Sequence, residues 1–204
     1  APGFVKDNLR IWRDVTMKNG VPLYMHYSGV WDTEAIKHHP EWAALDAEGK
    51  VDTNKTSVFG PYVDELMIPQ LKELISEYQV DGIWVDGECW ATVCDYGEKA
   101  LSEFTKATGI TEIPRKPEDP YWYEFKQFFR QGFREYLRHY VDEMHRFDPS
   151  FQITSNWAYS SQMPGKPDIP IDYVSGDSAL QDSFNENCFE SRCIAPQGYP
   201  WDLM

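Results

Sequence analysis

The sequence is short of positive charge, of cysteine and of long apolar runs, and each shortage removes a class of function. Nineteen Lys and Arg stand against 33 Asp and Glu, a net charge of −14. Nucleic acids and anionic membranes both select a basic surface, so neither is an expected partner, and ligands that are neutral or positively charged remain. No apolar run approaches the roughly 18 residues of a spanning helix. Only four cysteines occur, Cys89, Cys94, Cys188 and Cys193, in two pairs with four residues between partners. Zinc sites usually carry a two-residue gap, and four cysteines do not make a disulfide scaffold at this length. Free buried thiols are therefore expected, with a disulfide open to an exported protein; a periplasmic or secreted location is favoured over the cytoplasm. No internal repeat, low-complexity tract or signal-peptide pattern is visible, and the chain begins at Ala1 rather than Met.

What the sequence has is aromatic residues. They make up 15% of the chain, with eight Trp and twelve Tyr. Many belong in a core, but flat apolar faces with a polar edge also suit the C–H faces of sugar rings. A length of 204 residues with 42% hydrophobic content is enough for one domain, or a large part of one, with a sizeable core.

The chain is organised around Val80-Asp81-Gly82-Ile83-Trp84-Val85-Asp86-Gly87-Glu88-Cys89-Trp90. Alternation along a strand puts Ile83 and Val85 on one side and Gly82, Trp84, Asp86 and, if the extended run persists, Glu88 on the other. Asp86 stands where the apolar run gives way to a glycine. That is the carboxyl end of a parallel strand, the usual place for chemistry in α/β folds. A buried carboxylate costs several kcal/mol unless it is paired, so Asp86 is either a working group or an acid paired with a neighbouring Arg or Lys.

Around it the pattern alternates. Residues Phe4 to Asn19 carry apolar positions at Val5, Leu9, Trp12 or Ile11, Val15 and Met17, a helical spacing closed by Gly20. Val21 to Tyr27 reads as a strand with Tyr24 and His26 on one face. Val30 to Gly60 reads as a long substrate-binding loop rich in His, Pro and Trp. Pro61 to Tyr78 is helical, with Pro69 either kinking it or starting its second half. A short helix over Gly97 to Thr108 and a long one from Pro120 to about Phe147 follow, the second with an aromatic stripe expected to pack on a sheet. Phe151 to Trp157 is a strand with Gln152, Thr154 and Asn156 inward. Ile171 to Ser175 is another, ended by Gly176-Asp177, and Arg192 to Ala195 begins one more.

Strand, helix, strand alternation predicts an α/β fold with parallel strands. Only four or five strands can be counted, and a closed eight-stranded barrel takes about 250 residues. The natural chain is expected to be longer.

Three stretches carry a resemblance. Tyr62 through Leu74, followed by Tyr78-Gln79-Val80 and on to Gly87, resembles the segment bearing the catalytic aspartate of α-L-fucosidases. Met25-His26-Tyr27-Ser28-Gly29 with Trp31-Asp32 resembles that family's preceding active-site strand. His39-Pro40-Glu41-Trp42 and Asp46-Ala47-Glu48-Gly49 are similar to bacterial glycoside hydrolases of the same (β/α)8 barrel. The resemblance covers about residues 20 to 95. It implies that residues 1–204 form part of a single (β/α)8 glycoside hydrolase domain, an incomplete TIM-barrel type, acting on a carbohydrate substrate by a retaining mechanism with Asp86 as nucleophile. The sequence departs from the fucosidase pattern at Gly87-Glu88-Cys89-Trp90, so the acid/base cannot be carried over.

Glycoside hydrolysis needs two carboxyl groups. Glu88 and Asp177 are the candidates for the second, and His26, Trp31, His39, Trp84 and Asn156 for sugar contacts. No cofactor is expected. Nor is a metal, because the adjacent His38 and His39 point apart and no third ligand is evident. A binding-only carbohydrate barrel and a metal-dependent hydrolase remain as other classes, and assembly into a homo-oligomer is left open.

Overall fold

The computed structural model describes residues 6–86, 91–156, 163–176, Cys193 and 200–203. Its centre is a parallel sheet. β1 (Tyr24–Tyr27) pairs with β4 (Gly82–Val85), and β4 pairs with β5 (Gln152–Ser155), both parallel. A parallel bridge from Asn156 to Ser175 joins β5 to β6 (Val174–Gly176), which pairs in parallel with β7 (Trp201–Leu203). These five strands lie side by side in chain order, without the reversal that defines a doubly wound sheet. Among the described residues β1 has one sheet neighbour, β4.

Helices α3 (Ile68–Tyr78) and α5 (Trp122–Phe147) cover one face. Ile83, Val85 and Ile153 point toward them and join Leu71, Ile75, Leu137 and Tyr140 in the main core. Strand parity then sends Tyr24, His26, Trp84 and Thr154 to the opposite face, where the register sets His26 beside Trp84 and Trp84 beside Thr154. A π-helical turn, Val63–Met67, runs into α3, and Pro69 falls in the first turn of α3, where its missing N–H costs nothing. The expected helices over Gly97 to Thr108 and Pro120 to Phe147 are α4 (Glu98–Thr108) and α5. Gly109 closes α4 in the left-handed conformation.

Four expectations change. The connection from Val30 to Gly60 is built, not irregular: it holds α2 (Thr33–His38), a 3-10 turn at Pro40–Trp42, and an antiparallel hairpin of β2 (Ala43–Leu45) and β3 (Val51–Thr56). Asp32 caps α2 by accepting from Ala35 N, and Asp46 accepts from Glu48 N and Lys50 N to turn the hairpin. The aromatic stripe of α5 divides. Phe133, Tyr136 and Tyr140 face the sheet core, whereas Phe125 and Phe129 form a second cluster with Ala100 and Phe104 of α4. In α1 (Asn8–Lys18) the apolar residues Ile11, Trp12, Val15 and Met17 stay 47% to 58% exposed. The residue α1 buries is Arg13, held by Asp81 at 2.6 Å. The strand expected at Ile171 to Ser175 is confined to Val174–Gly176, because Asp172 turns back to accept from Ile153 N and meet His145. The strand start expected at Arg192 lies outside the described residues apart from Cys193. No helix among the described residues is long and apolar enough to cross a membrane.

Candidate active site

The backbone ladder continues one residue past the ends of β4 and β5. Asp86 N donates to Tyr27 O at 2.7 Å, and Asn156 N donates to Val85 O at 2.8 Å. Both side chains are thereby set at the carboxyl edge of the sheet, on the face shared with His26 and Trp84.

There they meet. Asn156 Nδ2 donates to Asp86 Oδ1 at 2.8 Å, and His26 Nε2 lies 3.2 Å from Asp86 Oδ2, in place to donate from its N–H. Three neighbouring strands thus contribute to one carboxylate. The surroundings of its two oxygens differ: Asn156 is 2% exposed, whereas the His26 side chain is 57% exposed and that of Asp86 37%. The His26 ring sits 5.2 Å from that of Trp84, tilted by 33°. Trp84 is 6% exposed, and its Nε1–H finds no acceptor among the described residues. A buried donor without an acceptor is costly, so a ligand hydroxyl or a water is its natural complement.

The other expected contacts belong to the excursion after β1. His39 stacks on Trp42 with centroids 3.8 Å apart, and its Nδ1 lies 3.3 Å from Glu41 Oε1. Trp31 stands just before α2 and is more than one-third exposed. Glu88 and Asp177, the two candidates for the second carboxyl group, lie outside the described residues, as do Cys89 and Cys188. Cys94 is buried and free, and Cys193 is exposed.

Asp95 is a residue that sequence reasoning did not single out. It is buried, and it accepts from Leu45 N at 2.9 Å, Gly97 N at 2.8 Å and Ser57 Oγ at 2.5 Å. It ties the β2–β3 hairpin to the start of α4, downstream of β4. Its signal was the Asp-x-Gly turn before a helix. Beside it, burial pushes the Cys94 thiol up and the Lys55 ammonium down from their ordinary values.

Two cavities are lined by described residues. One of about 530 Å³ lies between the Pro40 turn, Phe59 and the start of α4; the other, about 460 Å³, lies at the opposite end of the sheet around Arg13, Asp81 and Gln152. Neither of these two walls includes Asp86. Among the described residues no group of three or more His, Cys, Asp or Glu is arranged to hold a metal ion.

The fold has relatives among solved structures. The chain has the fold of the glycoside hydrolase domain of PelA from Pseudomonas aeruginosa (15% identity, TM-score 0.51, 94% of this chain and 70% of that one). It shares that fold with a GH20 exo-β-N-acetylglucosaminidase from Vibrio harveyi (14%, TM-score 0.58, 96% and 27%) and a cold-adapted β-galactosidase from Rahnella sp. R3 (13%, TM-score 0.55, 90% and 34%). The chain therefore spans about a quarter to a third of the length of the latter two. The α-L-fucosidase family model matches residues 3–109. The chain belongs to the α-L-fucosidase family. None of the curated proteins matches it.

Proposed function

We propose that the protein is a glycosidase that removes a terminal sugar, with α-L-fucose the first candidate, and that this chain is the portion of a (β/α)8 barrel that carries the nucleophile. The barrel reading is supported by five parallel strands in chain order, since a barrel is the parallel α/β fold that never reverses it. The exposed apolar side of α1 fits the same reading, because a complete barrel rings its strands with packed helices.

The observation that carries the function is the Asp86 carboxylate, held at the carboxyl end of its strand by His26 and Asn156 from the two flanking strands. In the proposed reaction Asp86 attacks the anomeric carbon while a second carboxyl group protonates the departing oxygen. Water, deprotonated by that same group, then releases the sugar from Asp86. Glu88 and Asp177 are the candidates for the second group. If the extended run persists to Glu88, two strand rises start the Asp86 and Glu88 side chains about 6.6 Å apart, wider than the about 5 to 5.5 Å of retaining enzymes and at the lower edge of the about 6.5 to 9.5 Å of inverting ones, a difference that the reach of the two side chains can close. His26, Trp84, Trp31 and His39 are assigned to the sugar, Trp84 through the N–H that finds no acceptor among the described residues.

The test is a panel of aryl glycosides that includes the α-L-fucoside, run on the full-length natural protein. Release of one aglycone supports the reading and names the sugar. Sugar binding by calorimetry without release from any glycoside would replace it with a binding-only barrel.

A further inference from the structure

We infer that Asn156 is a positioning residue: its side-chain amide pins Asp86 Oδ1, so that Oδ2 is the oxygen presented to the sugar. The inference deepens the glycosidase reading and rests on it.

A carboxylate at the end of a strand turns easily, because its last torsion has broad minima. Something must select one oxygen if the nucleophile is to be preorganised. Asn156 has the means. Its backbone is held on one side by the hydrogen bond to Val85 O and on the other by the bridge to Ser175 of β6. Its side chain is buried, so it does not trade this partner for bulk water. The amide must offer its nitrogen, since an ionised carboxylate only accepts and the flipped amide would set two acceptors face to face. The 2.8 Å separation is that of a hydrogen bond to a charged acceptor.

The other oxygen faces a different neighbourhood. Oδ2 lies toward His26, whose side chain is more than half exposed, so a sugar arriving from the open side meets Oδ2 first. Asn156 was expected among the sugar contacts; at 2% exposure it reaches the sugar only through Asp86.

The test uses the full-length protein with Asn156→Asp and Asn156→Ala. Asn156→Asp keeps the shape but removes the donor, so kcat falls about 10- to 100-fold with KM nearly unchanged. Activity then returns in part at low pH, where the introduced carboxyl is protonated and can donate again. A merely structural role would show no such recovery. A variant with kcat within about twofold of wild type, or one whose loss lies wholly in KM, overturns the inference. Wild type inactive on every glycoside would instead overturn the glycosidase reading. The crystal structure of Asn156→Ala then decides the positioning role without turnover: a second orientation of the Asp86 carboxylate supports it, and the single wild-type orientation overturns it.

Discussion

The ring of Tyr24 occupies the space that a side chain on Gly82 would need. A Cβ built on Gly82 falls 2.7 Å from Tyr24 Cδ1 and 2.7 Å from the carbonyl oxygen of Gln152. Tyr24 crosses β4 at this point and donates its hydroxyl to Gln152 Oε1 on β5, lacing three strands together two residues below His26 and Trp84. The ring could swing away from a methyl group, but the Gln152 carbonyl belongs to the sheet and cannot. Gly82→Ala is therefore expected to cost about 1 to 3 kcal/mol, read as a fall in Tm of a few degrees. Thermal melts of the full-length protein check it, and an unchanged Tm would mean that the sheet relaxes at this point.

Asp86→Asn tests the chemistry separately from the fold. The amide is close in size to the carboxyl and can still meet both His26 and Asn156, so the fold and sugar binding are expected to survive. A neutral amide does not attack an anomeric carbon, and turnover should fall by on the order of 10³-fold or more. Calorimetry with the released sugar and initial rates on the responsive glycoside measure the two effects. A purified variant that still turns over would remove Asp86 from the role of nucleophile.

The core of the site was legible because it rests on parity alone. Alternation along Val80 to Asp86 puts Trp84 and Asp86 on one face, and the same rule applied to two other strands brings in His26 and Asn156; the register then did what parity predicts. The excursion between β1 and α3 was not legible, because its elements run three to six residues and their cohesion comes from side-chain caps and from Asp95, which lies 50 residues beyond Leu45. Nor could α1 be oriented. Its pattern marks an apolar side to bury, yet Arg13 faces the protein, because its partner Asp81 sits 68 residues away at the start of β4. In α5 the periodicity found the buried stripe but could not show that Phe125 and Phe129 pack on α4 while the remainder packs on the sheet.

Cys94 should be chemically quiet. Burial pushes its thiol up, outweighing the pull of Lys126 and Lys55, so the reactive thiolate is scarce at neutral pH and the sulfur is sheltered as well. Iodoacetamide at pH 7.5 is expected to leave Cys94 unmodified in the native full-length protein and to label it once denaturant is added, whereas the exposed Cys193 reacts in both conditions. Peptide mass spectrometry reads each site directly. Rapid native labelling of Cys94 would show that the contacts around α4 open readily.

Lys55 gives the stability curve a slope at alkaline pH. Its side chain is buried near the hairpin with Val93 O at 3.5 Å, and desolvation lowers its proton affinity despite the opposing pull of Asp52 and Asp95. The folded value lies below the unfolded one, so between the two the unfolded chain holds more protons. Stability therefore rises with pH through that window, up to about 10.5, where the unfolded lysine also discharges. The penalty is present at neutral pH and fades as the solution becomes alkaline. Lys55→Met carries no such group, so wild type should gain on this variant between pH 7 and pH 10. Urea melts of both at pH 7, 8.5 and 10 measure the gap. A gap that stays constant, or moves in favour of the methionine variant as pH rises, would show that Lys55 keeps its charge on folding without cost.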